Sequence, residues 1–198
     1  MNYKKGAMFG LDSRIALAIF GALSVISGAA LYSAIQQAKV TSKLTILSEV
    51  DKAIVARYLD VGDQMVDFNS TTKNLNALFL DESETGWKGP YLSNYTALHG
   101  GAMAEGFFND KAGLLIKKAN IQNWNDYTEI DGACTSVDCS IWIEMRYANL
   151  TDISVTLLKE IDILVDGSDS SDSGNIRYGT GTSGNYYNLF YRSMSLVQ

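Results

Sequence analysis

The chain reads as an α+β protein, with a long N-terminal helix packed on an antiparallel β-sheet head. Three observations predict this. Residues 15–38 (IALAIFGALSVISGAALYSAIQQA) carry no charge. The helical pattern then runs on without a proline or glycine from residue 29 to residue 61. Further along, residues 140–147 (SIWIEMRY) alternate with a period of two, the pattern of a strand.

A chain of 198 residues has room for one globular domain and an appendage. Its net charge of −6 argues against nucleic-acid binding, because a protein that neutralises phosphates needs a basic face. The acidic surplus gathers late, at Asp131, Asp138, Asp152, Asp162, Asp166, Asp169 and Asp172, and reads as a solvated surface.

The apolar stretch is long enough to span a membrane, which takes roughly 20 apolar residues. Lys4 and Lys5 ahead of it mark the cytoplasmic side. A cleaved secretory signal has a shorter apolar core, followed by a small-residue cleavage site. Here the apolar run passes directly into an amphipathic helix. Ile46, Ala53, Ala56 and Leu59 fall on helical spacings, with Leu44, Leu47, Val50, Ile54 and Val55 between them. Residues 35–60 should therefore leave the membrane and lay an apolar face on the sheet, and Gly62 and Asp63 should end the helix. Any cleavage is expected ahead of the apolar run. Gly21 and Gly28, seven residues apart, lie near one helix face.

These residues resemble a type IV pilin or type II secretion pseudopilin. In that family a short basic leader ending in glycine is cut by a prepilin peptidase, and an acidic residue follows closely. Then come a continuous apolar helix and a globular head. MNYKKG is similar to the leader, and Asp12 to the early acidic residue. The spacing from Asp12 to Gly21 resembles that between the family's acidic residue and a helix glycine. With Asp12 in the acidic position, the first mature residue is Met8 and the cut follows Ala7. A cut after Gly6 or after Gly10 remains open. Arg14 and the missing helix proline depart from the family pattern. A second likeness is residues 86–92 (GWKGPYL), similar to a segment after the N-terminal helix of major pseudopilins. Taken alone, Trp87, Pro90 and two glycines make a rigid turn packed on a core.

The resemblance implies a leader at residues 1–7, a transmembrane and polymerisation stretch at 8–34, an amphipathic half at 35–62 and a pilin-like α+β head at 63–198. It also implies processing around Gly6, Ala7 and Met8, with Asp12 and Gly21 acting in assembly; Arg14 offers Asp12 a competing partner within the chain or between copies in that assembly. In the family the acidic residue neutralises the N-terminal amine of a neighbouring subunit, and a charge among apolar helices is costly unless paired. The implied partners are further copies of the chain in a helical filament, the inner membrane, the prepilin peptidase and an assembly machinery. The implied location is the inner membrane, then a surface filament, or the periplasm for a pseudopilin. Head length and a local disulfide favour a pilus; GWKGPYL favours a secretion pseudopilin. A membrane-tethered binding domain that never polymerises is the alternative from another class.

In the head, a short helix is expected over residues 71–79 with Ser70 or Thr71 as N-cap. Residues 81–110 read as loop. Strands are expected over 112–118, 124–130, 140–147, 175–178 and 186–192. In the third of these, Ile141, Ile143 and Met145 should face the long helix. Ile153, Leu157, Leu158, Ile161 and Leu164 repeat at helical spacing, with Thr151 as N-cap. Tyr186, Tyr187 and Tyr191 form an aromatic stripe suited to packing or to a partner.

Cys134 and Cys139 can be free thiols, a redox pair or a structural disulfide. A small disulfide loop is the default for a domain outside the cytoplasm. His99 is the only histidine, which argues against zinc. Asp166, Asp169 and Asp172 offer hard oxygens for calcium, without EF-hand spacing, and a solvated loop is the favoured reading. No other cofactor is implied. No phosphate-binding loop, nucleophile motif or histidine-containing triad occurs in the sequence, so the chain is not expected to be an enzyme.

Overall fold

The computed structural model describes residues 6–81, 83–93, 96–98, 103–105, 112–120, 122, 124, 139–149, 151–180 and 186–195. Helix α1 spans Gly6–Val61. The chain divides into two compact units, Met1–Thr41 and Ser42–Gln198. In the first, the described residues are α1 alone. The second holds the rest of α1 and an α+β head with a six-stranded antiparallel sheet.

Strand β3 (Ala112–Asn120) pairs along its whole length with β4 (Cys139–Tyr147), from Ala112 opposite Tyr147 to Asn120 opposite Cys139. On the other side of β4 lies β6 (Tyr187–Ser195), with a register shift between Ser140 and Trp142. β5 (Ile176–Thr180) forms the outer strand beyond β6. Two three-residue strands, β1 (Thr96–Leu98) and β2 (Met103–Glu105), extend the sheet past β3. They lie inside the stretch expected to be loop.

Beyond β2, residues 71–73 take over the edge of β3. Lys73 N donates to Ile116 O at 2.8 Å, and Lys118 N donates to Thr71 O at 2.8 Å. The helix expected over 71–79 is thus a single 3₁₀ turn, Leu75–Leu78, capped by the side chain of Asn74. Its first residues are drawn into the sheet edge, and Asn69 Oδ1 holds the turn by accepting from the amides of Thr71 and Thr72.

Helix α2 (Val155–Asp166) begins at Ser154, whose Oγ accepts from Leu157 N, so the cap is Ser154 and not Thr151. The helix ends in the left-handed Gly167. Leu157, Leu158 and Ile161 are buried, whereas Leu164 is exposed.

Residues 42–61 of α1 lie on one face of the sheet. Ile46, Leu47, Val50, Ala53 and Ile54 are buried, while Val55 and Leu59 face solvent. Ile54, Arg57 and Tyr58 meet Met65 and Ile141 around one small pocket. Lys43 Nζ sits 5.1 Å from the Tyr147 ring centroid, and Ser193 Oγ donates to Asp51 Oδ1. Each buried Leu or Ile stabilises this layer by about 1.5–3 kcal/mol.

The other face of β4 is buried as well. Trp142 packs with Ala119, Phe190 and Trp124. Trp124 lies 4.7 Å from Trp142 and 5.3 Å from Phe190, centroid to centroid. The guanidinium of Arg177 stacks 4.1 Å from Trp124 and 4.6 Å from Trp142. Burial draws the Arg177 pKa down to about 10. Strand β4 therefore belongs to two cores, not one.

Candidate functional site: the apolar stretch of α1

Ile15, Leu17, Ile19, Phe20, Leu23, Val25, Ile26, Leu31 and Tyr32 are all exposed, Leu17 and Val25 by 73% each. At 100° per residue these positions point to every side of the helix, so the stretch is apolar all round. The best 18-residue window has a mean hydropathy of 2.1 and is 0% buried. At 1.5 Å per residue, residues 15–38 extend about 36 Å. That exceeds the roughly 30 Å of a bilayer's hydrocarbon core. This helix is long and apolar enough to cross a membrane.

Its polar groups are handled locally. Ser24 Oγ donates to Phe20 O at 2.8 Å, and Thr41 Oγ1 to Gln37 O at 2.9 Å, which returns both hydroxyls to the helix backbone. A side chain added at Gly21 or Gly28 would meet nothing within 4 Å. Both positions leave the helix surface open to a close neighbour.

Asp12 and Arg14 are exposed near the start of the helix. Gly6, Ala7 and Met8 open α1, and the side chains of Ala7 and Met8 are not among those described. Cys139 opens β4 and is disulfide-bonded; the chain's other cysteine, Cys134, lies outside the described residues. His99 and most of the strand expected over 124–130 lie outside them too. Tyr187 and Tyr191 share one face of β6, whereas Tyr186, ahead of the strand, stacks 5.3 Å from Arg146.

The three acidic calcium candidates are engaged with protein groups. Asp166 Oδ2 accepts from the amides of Asn175 and Ile176, and Oδ1 from Asn175 Nδ2. Asp169 pairs with Lys159 Nζ at 2.7 Å and accepts from the Tyr178 hydroxyl. Asp172 accepts from Ser170 Oγ. Among the described residues no three His, Cys, Asp or Glu side chains are arranged to hold a metal.

Compared with known proteins, the chain matches no family model, no curated protein and no solved structure.

What joins α1 to the head is a strap over residues 86–92, the GWKGPYL segment. Trp87 Nε1 donates to Ala77 O at 2.9 Å, and the amides of Tyr91 and Leu92 reach Leu78 O. Lys88 Nζ and the Tyr91 hydroxyl both converge on the Asp60 carboxylate, in the last turn of α1. The Lys88 hydrogen bond holds the Asp60 pKa below its usual value. Gly86 has φ +91°, and a Cβ there would come within 2.5 Å of Asp60 O, so only glycine fits.

One turn earlier, Arg57 is 1% exposed and forks onto Glu84, with a third bond to Asp63 O at 3.1 Å. A buried guanidinium needs such partners. The signal for this pair was weak in the sequence: one arginine on an otherwise apolar helix face.

Proposed function

We propose that the chain is a prepilin-type subunit. It is stored in the membrane by residues 15–38, processed near Gly6, Ala7 or Met8, and assembled into a helical filament of its own copies. The observation that carries this reading is the apolar stretch of α1, open on every side over a length that can cross a bilayer. Burying this surface among neighbouring helices would replace its burial in lipid, and Gly21 and Gly28 would allow those helices to approach closely. The resemblance of MNYKKG and Asp12 to a prepilin leader and its acidic residue supports the same reading. Asp12 would set the register by pairing with a neighbouring subunit's N-terminal amine, because an unpaired charge among apolar helices is costly. The heads would form the outside.

The test is the mass of the N-terminus in filaments sheared from cells, together with an Asp12→Ala variant. Processed termini, and loss of filaments with the variant still membrane-bound, are the expected results. An intact Met1 in assembled filaments overturns the processing step. A wild-type chain that stays monomeric in the membrane indicates a tethered binding domain instead.

A further inference from the structure

Apart from the apolar stretch, one feature is out of keeping with an ordinary head domain. Asp162 is fully buried, and its Oδ1 has no hydrogen-bond partner. Its Oδ2 accepts from Ser170 N at 2.6 Å. Asp166 lies one turn on, on the same face of α2, and takes the amides of Asn175 and Ile176 at 2.7 Å each. Two carboxylates near the C-terminal end of one helix thus hold the middle and the far end of the loop that follows it. Both also lie where the helix dipole disfavours negative charge.

We propose that a protonated Asp162 and the neighbouring Asp166 together form a pH-operated latch on residues 167–175. With Oδ2 occupied by an amide, the proton sits on the buried Oδ1 and neutralises the carboxyl. When the latch opens, that proton goes to solvent. The fully ionised pair would place two like charges one turn apart, one of them buried and without a donor on Oδ1.

The surrounding charges fit this arrangement. Asp169 faces the pair from the loop, and Tyr178 from β5. Arg177 of β5 and Tyr191 of β6 lie within the field of Asp166. Lys159, the nearby cation on α2, is engaged with Asp169 and draws that carboxyl below its usual range. Burial pushes Asp162 up to about 6; the Ser170 amide opposes the rise, and Asp166 and Asp169 add to it. The carboxyl is thus raised in the closed state, so its contribution is fully present below about 3.9 and is lost as pH rises through about 6. Asp169 shifts the opposite way and needs to be ionised. The latch is therefore tightest at mildly acidic pH.

The experiment is amide hydrogen exchange at Ser170, Asn175 and Ile176 in the full chain in detergent, corrected for intrinsic exchange at each pH. Protection should fall about tenfold between pH 5 and pH 7 relative to the β3–β4 amides. Asp162→Asn should flatten that dependence and keep the loop protected at pH 7. Protection that does not vary with pH overturns the latch, and so does a variant that keeps the wild-type profile. Restoration of protection at pH 7 by calcium alone would show a metal site instead and also overturns it. If the variant does not fold, carboxyl carbon NMR of the wild type decides: an Asp162 that titrates near 4 refutes the protonated latch.

Discussion

The two stretches of α1 share a backbone, yet differ in charge and in what covers them. Over residues 15–35 the large side chains are exposed on all sides. Over residues 46–59 they form a stripe, with Ile46, Leu47, Val50, Ala53, Ile54 and Arg57 buried and Val55 and Leu59 left outside. An even distribution of apolar groups needs a partner that surrounds the helix, as lipid or a helix bundle does. A stripe needs only one sheet. The helix thus presents different solvation problems along its length, and the stretch between Gly28 and Gly62, free of proline and glycine, carries the backbone from one to the other.

Substitutions can sharpen that contrast. The largest effect is expected from placing the same charge in each stretch. Val50→Asp buries an unpaired carboxylate against the sheet and should destabilise the head by at least about 4 kcal/mol in chemical denaturation. Leu23→Asp should leave head stability within about 0.5 kcal/mol in detergent. It should nevertheless cost about 3 kcal/mol in membrane insertion, read by fractionation. Equal effects on head stability would break the comparison.

Next is Arg57→Ala, which leaves Glu84 without its cation and should cost about 3 kcal/mol. Replacing the pair together, as Arg57→Met with Glu84→Gln, should recover most of that loss, because no charge is then stranded. The smallest effect is expected at Ser154→Ala, about 1 kcal/mol from the lost cap of α2, with no change in membrane behaviour.

Much of this architecture was legible in the residues. Strand β4 announced itself by alternation, and α2 by the spacing of Leu157, Leu158 and Ile161. The exceptions have local causes. β1 and β2 are three residues each and sit among glycines, too short for a period-two pattern to show. The turn over 75–78 lost its first residues to the edge of β3, a pairing more than forty positions away along the chain.

The second face of β4 was hidden because Glu144 and Arg146 look like solvent-facing residues. The structure pairs them at 2.7 Å, with Glu144 only 1% exposed. At the candidate site, the apolar run and its reach were plain from composition. The Asp60, Lys88 and Tyr91 cluster was not, since it joins groups about thirty residues apart through side-chain contacts alone. Likewise, Asp162 gave no sign of its burial, because a single aspartate on an amphipathic helix looks the same whether it is solvated or enclosed.

The arrangement at the sheet margins limits how copies of the chain can associate. Residues 71–73 occupy the backbone groups of β3 beyond β2, and the Tyr178 amide on the outer side of β5 donates to Ser171 O at 3.1 Å. The opposite margin ends in β1, a strand of three residues. A sheet finished in this way offers little template for another chain to add a strand. Self-association by lengthening the sheet is disfavoured at the level of the fold, and among the described residues the most extensive uncovered side-chain surface is the apolar stretch of α1.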